Sequence, residues 1–216
     1  MKHNFDINQT LLCLTRDDPN VDHSKQVETF VESGFNFIQL RSKSLGSKDL
    51  LNQAKRSVEI AKAYGCTLII NDYYELAQEV DADGVHLGWD DASISVARSF
   101  LNPDKIIGKT VHSLEQATET LLDCPDYIGV GPYRKSSTKE ELSPTLSDHE
   151  FAQIFELLLP IPVYLIGGLK SDDHALIEKF GIQGIAICSE LFSGDSLSGH
   201  TQKIFDRFHS FQSVSV

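Results

Sequence analysis

Leu68-Ile69-Ile70-Asn71-Asp72 and Gly84-Val85-His86-Leu87-Gly88-Trp89-Asp90-Asp91 decide the reading of this chain. Each is a short apolar run closed by an acidic turn. A run of that length, apolar on both alternating faces and bounded by turn residues, reads as a strand buried on both sides, as in a parallel sheet. Two such strands in succession place their terminal carboxylates on one edge of the sheet. In a parallel barrel that edge is the functional face. A pair of carboxylates there suits a hard divalent cation such as Mg²⁺ and so points to phosphate chemistry.

The same pattern extends in both directions. Further candidate strands are Leu11–Leu14, Phe37–Leu40, Lys105–Gly108, Tyr127–Gly131, Val163–Ile166 and Gly184–Ile187, with the central pair at Thr67–Ile70 and Gly84–Leu87. Helical spacing fills the intervals. Leu50, Leu51, Ala54, Val58 and Ala61 form one apolar stripe, and Ser113 is placed to cap a helix that begins at Leu114. Eight strand–helix units of near-equal length predict a (β/α)8 TIM barrel, with a doubly wound sheet as the runner-up. The expected organisation is one domain over residues 1–216 with a barrel core at about 11–192.

Composition bounds the function. The chain has 216 residues, 41% of them apolar and 23% charged, which is globular. It has no run of about 18 apolar residues and no apolar signal core near Met1, so the expectation is a cytoplasmic protein without a membrane span. A net charge of −12 argues against nucleic acid as a partner. Cys13, Cys66, Cys124 and Cys188 form no CxxC pair or zinc spacing. Three of them lie in or beside apolar runs and are read as buried free thiols.

In an acidic chain the cations are informative. Arg41 and Lys43, in Gln39-Leu40-Arg41-Ser42-Lys43, follow the second strand and are either phosphate ligands or two surface cations. Asn71-Asp72 and Asp90-Asp91 are either a metal site, with Asp72 and Asp91 as ligands, or common turn and cap residues. The segment Gly131-Pro132-Tyr133-Arg134-Lys135-Ser136-Ser137-Thr138-Lys139 is an anion-binding loop or a solvated surface loop. Ile166-Gly167-Gly168-Leu169 and the stretch from Gly184 to Ser189 close the last two strands, where barrels commonly hold phosphate; Ser189 is expected to open a helix there. His112 is either a general base or a packed or capping residue, and His86 is read as orienting its neighbours or packing in the barrel. No nucleophile–base–orienter trio and no Rossmann or P-loop glycine pattern is present.

Taken in order, QLRSK, IIND, DGVHLGWDD, IGKTVHS, YIGVGPYRKSSTK, IGGL and ICSELF resemble the thiamine-phosphate synthase family over about Leu11 to Phe192. The resemblance implies a (β/α)8 barrel that joins an aminopyrimidine diphosphate to a thiazole phosphate and releases pyrophosphate, with Mg²⁺ as cofactor. It implies that Asp72 and Asp91 hold the metal, and that Gln39, Arg41, Lys43, Asn71 and Lys139 contact the diphosphate. Thr110 matches the family's serine at the reacting centre, and Thr110 and Lys139 are the expected catalytic residues. Ser136 and Thr138 match two loop threonines. Gly168, Cys188 and Ser189 would present backbone N–H groups to the thiazole phosphate, with the Ser189 hydroxyl added. The expected partners are small phosphorylated molecules, with a homodimer as the assembly to test and neither nucleic acid nor a membrane.

The chain departs from the family at Trp89, where Gln is usual, and at Arg134-Lys135, where an aromatic-Pro pair is usual. Two other readings stay open. A thiazole tautomerase would use His112 for proton transfer and needs no acidic pair. A non-catalytic phosphate-binding regulator would need only Gly168 and Ser189.

Overall fold

The structure, a computed structural model, describes residues 10–134 and 145–212. Eight parallel strands close into a barrel in sequence order: β1 (Leu11–Leu14), β2 (Phe37–Leu40), β3 (Thr67–Asn71), β4 (Gly84–Leu87), β5 (Ile106–Val111), β6 (Tyr127–Val130), β7 (Val163–Leu165) and β8 (Gly184–Ile187). The helices between them are α1 (His23–Glu32), α2 (Ser47–Tyr64), α3 (Tyr74–Glu79), α4 (Ile94–Phe100), α5 (Leu114–Thr120), α6 (Asp148–Leu158), α7 (Ala175–Phe180) and α8 (Leu197–Gln212). Ring closure, with β1 paired to β8, removes the open edges that a doubly wound sheet would keep.

Local chemistry starts the helices where the sequence places its caps. Ser113 Oγ accepts from Gln116 N at 3.2 Å at the head of α5. Ser147 and Glu150 form a reciprocal capping box on α6. In α2 the expected stripe faces inward: Leu50, Ala54, Val58 and Ala61 are buried, with Leu51 packed at the margin.

Strand alternation divides the core in two. Outward-facing residues such as Cys13, Ile38, Leu68, Ile70, Val85 and Ile107 pack under the helices. Inward-facing Leu12, Phe37, Ile69, Ile106, Tyr127, Tyr164 and Ala186 fill the barrel. Phe37, Tyr127 and Tyr164 meet as a triangle of rings with centroids 5.5 to 5.8 Å apart. Room for Tyr127 comes from Gly108, where a Cβ would lie 2.2 Å from the Tyr127 ring and 2.6 Å from His86 Nδ1. This packed floor closes the barrel interior beneath the C-terminal ends of the strands.

Two expectations are corrected. β5 runs from Ile106 to Val111 rather than Lys105–Gly108, because its ladder to β6 continues through Thr110 and Val111. Thr110 therefore stands in the strand, inside the barrel. Ser189 opens only a four-residue 3₁₀ turn, Ser189–Phe192, and the long helix begins at Leu197. Cys13 and Cys66 are buried, Cys188 is half-buried, Cys124 is exposed and all four are free thiols. Burial pushes the Cys66 thiol up to about 12, so it is inert at neutral pH.

Candidate active site

The C-terminal ends of β2, β3 and β4 bring together the charges that the sequence singles out. Asp72 follows Asn71 at the end of β3, and its backbone is left-handed, with φ of 68°. That conformation is uncommon for a residue with a side chain and recurs at functional sites. It is held by Asp72 N donating to His86 O at 2.8 Å. Lys43 Nζ, from the β2 loop, lies 2.5 Å from Asp72 Oδ2. Asp91, from the β4 loop, accepts from Gly88 N at 2.7 Å, and its carboxyl interacts with that of Asp72. Burial, then the carboxyl of Asp91, raises the Asp72 pKa, with Lys43 pulling the other way. Burial also works against ionisation of Asp91, but the hydrogen bonds from Asp72 and Gly88 N and the charges of Lys43 and Lys109 prevail and lower it. Two carboxylates close enough to compete for one proton form a site short of positive charge.

Behind this pair stands Lys109, which the motif reading did not single out. It points outward from β5, is 6% exposed, and caps the β4 loop from beneath. Its ammonium donates to Gly88 O at 2.7 Å, with Trp89 O at 3.3 Å and Ala92 O at 3.5 Å. The Trp89 ring centroid lies 5.7 Å away. Trp89, the departure from the usual Gln, thus packs on the brace of the acidic loop. Burial lowers the Lys109 pKa, against the nearby Asp91. The strand boundary hid this residue: a β5 that stops at Gly108 leaves Lys109 in a loop.

Below the mouth runs a polar line inside the barrel. His86 Nε2 meets Thr110 Oγ1 at 2.7 Å, and His86 Nδ1 meets Tyr127 Oη at 2.9 Å. Gln39, 3% exposed on β2, bonds the same phenol. His86 therefore orients neighbours, as its place within a strand suggests. Asn71, 8% exposed and inward-facing, carries a side-chain Nδ2 without a partner. A buried donor left unpaired costs roughly 1–3 kcal/mol, which an incoming acceptor would relieve.

The remaining candidates separate. Gly168 has φ of 65° after β7, and Cys188 and Ser189 follow β8, on the arc of the ring opposite β3 and β4. His112 Nδ1 lies 2.5 Å from Gly131 O, tying the end of β5 to the end of β6. Arg134 grips Asp173 through both nitrogens, at 2.6 and 2.8 Å, and fixes the start of the loop after β6 to the loop after β7. Ser136, Thr138 and Lys139 lie outside the described residues. Asp17, in the loop after β1, is a further residue missed by the sequence reading; it sits in a polar turn, Arg16-Asp17-Asp18-Pro19, with no pattern to mark it.

Residues 10–191 match the family model described as thiamine monophosphate synthase. The chain belongs to the thiamine monophosphate synthase family. It is 34% identical over 186 residues to the thiamine-phosphate synthase of Caldicellulosiruptor saccharolyticus, covering 86% of this chain and 84% of that one. It is 35% identical over 191 residues to the synthase of Halalkalibacterium halodurans, covering 88% and 90%. Among solved structures, the thiamine phosphate pyrophosphorylase from Pyrococcus furiosus superposes with a TM-score of 0.81 at 27% identity, over 94% of this chain and 98% of that one. The chain is thus an enzyme of a family whose reaction is the synthesis of thiamine phosphate. Among the described residues no helix is long and apolar enough to cross a membrane.

Proposed function

We propose that the barrel mouth binds an aminopyrimidine diphosphate on the β2–β4 arc and a thiazole phosphate on the β7–β8 arc, and couples them to thiamine phosphate with release of pyrophosphate. The observation that carries this reading is the Asp72–Asp91 pair with Lys43 against it. Two hard carboxylates in want of positive charge suit Mg²⁺, which commonly takes one or two protein carboxylates and completes its shell with phosphate oxygens and water. When bound, the metal supplies positive charge to the departing diphosphate.

The chain's own residues then divide the remaining work. Arg41 and Lys43 offer a fork and a point charge to the diphosphate oxygens, and Asn71 Nδ2 an unpaired donor. By family resemblance, Lys139, Ser136 and Thr138 complete the shell. Loss of the diphosphate leaves a ring-stabilised cation, and the thiazole nitrogen attacks it. No strong general base is needed, which agrees with the lack of a trio. Thr110, fixed by His86, keeps its hydroxyl at the reacting centre, and Gly168, Cys188 and Ser189 hold the thiazole phosphate so that its nitrogen faces the cation. The partners we propose are these two small substrates; self-association as a homodimer and a cytoplasmic location accompany the reading.

Retention of the acidic pair supports coupling over tautomerisation or regulation, neither of which uses it. The test is pyrophosphate release by the purified protein, with both substrates, in Mg²⁺ and then in EDTA. Release that requires both substrates and metal is the expected result. Thiazole aromatisation without pyrophosphate release would overturn it.

A further inference from the structure

Asp17, in the loop after β1, faces the loop after β2 that carries Arg41 and Lys43, and its bonds anchor that loop. Its Oδ1 accepts from Ser42 Oγ at 2.5 Å and from His23 Nε2 at 3.1 Å. Its Oδ2 accepts from Lys43 N at 2.8 Å and Ser44 N at 2.9 Å. Four donors on two oxygens leave little acceptor capacity for a metal or a substrate hydroxyl. Three of the four come from the loop after β2, so this carboxylate serves as the form around which Ser42, Lys43 and Ser44 bend.

A buried link reinforces it. His23 is 2% exposed at the head of α1, and its Nδ1 lies 2.7 Å from Thr15 Oγ1. An ionised Asp17 can only accept, so His23 Nε2 donates to it; the neutral ring then accepts from Thr15 Oγ1 through Nδ1, while Thr15 Oγ1 itself accepts from Arg41 N at 2.9 Å. Both cations of the β2 loop are therefore held by their backbone to the loop after β1: Arg41 through Thr15, and Lys43 through Asp17. The side chain of Lys43 is then free to reach across to Asp72. Burial alone would raise the Asp17 pKa, but these hydrogen bonds outweigh it and hold the carboxyl well below its usual range, as expected for an acceptor committed to N–H and O–H donors.

We propose that Asp17, backed by His23 and Thr15, is a positioning residue that presents Arg41 and Lys43 to the diphosphate. The proposal rests on reading those two cations as diphosphate ligands. Asp17 touches no reacting atom in it; its effect passes through the loop.

The test is steady-state kinetics of Asp17→Ala with each substrate varied in turn. Two backbone N–H groups and a hydroxyl lose a charged acceptor, so KM for the diphosphate substrate should rise about tenfold or more. KM for the thiazole phosphate should stay within about twofold, because its residues lie across the ring. Binding of pyrophosphate alone, measured by calorimetry, should weaken by the same factor as the diphosphate KM. Asp17→Asn keeps one acceptor oxygen and should fall between; it carries the comparison if the alanine variant does not fold. A joint rise in both KM values, or no rise in either, overturns the proposal. Arg41→Ala and Lys43→Ala separate the two levels of the argument. If they leave the diphosphate KM unchanged, the cation assignment has failed and the proposal with it. If they raise it and Asp17→Ala does not, the positioning role alone has failed.

Discussion

Replacing Asp91 by alanine tests the central assignment, because the structure lets its effects on activity and on stability be separated. With both carboxyls ionised, Asp72, Asp91 and Lys43 sum to one negative charge, and this is the attraction offered to a divalent cation. In Asp91→Ala, Asp72 and Lys43 neutralise one another and that attraction is gone. Several kcal/mol of leaving-group charge stabilisation passes through a metal at such a site. Losing 3–4 kcal/mol of it corresponds to a turnover reduced on the order of a hundredfold to a thousandfold. Stability should barely move. The variant loses the hydrogen bond from Gly88 N at 2.7 Å, worth about 1 kcal/mol, and the interaction with the Asp72 carboxyl, and is relieved of a partly desolvated carboxylate beside another. The Asp72 pKa should also fall toward the ordinary carboxylate range, since one of the two causes raising it is removed. Pyrophosphate release over a Mg²⁺ titration, urea unfolding and carboxyl titration by NMR read the three effects. Turnover within tenfold of the parent at ordinary Mg²⁺, in a folded protein, would refute the reasoning.

The other predictions concern the scaffold behind the mouth. Tyr127→Phe removes the phenol that bonds His86 Nδ1 and Gln39 in a closed interior, and should cost about 1–3 kcal/mol in urea unfolding; an unchanged midpoint would show that the polar line contributes nothing to stability. His112→Ala should retain most coupling activity, because the ring ties Gly131 O rather than moving a substrate proton; loss of nearly all pyrophosphate release would transfer weight to proton-transfer chemistry. Burial lowers the His23 pKa below its ordinary 6.5, against the pull of Asp17. Below about pH 6.5 the unfolded chain therefore binds more protons there than the folded one, and stability falls with falling pH by at most about 1.4 kcal/mol per unit. His23→Gln should flatten that dependence in urea unfolding measured down to about pH 5; an unaltered slope would place the titration elsewhere.

What the sequence reveals follows from how each residue departs from its surroundings. Asp72 and Asp91 are legible because a carboxylate that ends an apolar run breaks a pattern, and the order of the runs around a closed ring makes their strands neighbours. The eight strands are legible for the same reason, and their boundaries shift by only a residue or two except at β5. There the alternation of Gly108, Lys109, Thr110 and Val111 resembles the exit of a strand, and only the partner ladder shows that it continues. That single boundary moves Thr110 into the barrel and turns Lys109 into the brace of the acidic loop.

Asp17 is illegible for the opposite reason. In Arg16-Asp17-Asp18-Pro19 an acid is what any exposed turn would carry. Its role is defined by three donors more than twenty residues away, on a loop that it meets only because β1 and β2 are paired. Periodicity along a chain reports which face a residue occupies, not which neighbouring loop its acceptors will shape. The residues that touch substrate in a barrel therefore tend to be visible in sequence, since they interrupt apolar strands. The residues that aim them belong to polar turns, where an acid is unremarked until the partners are known.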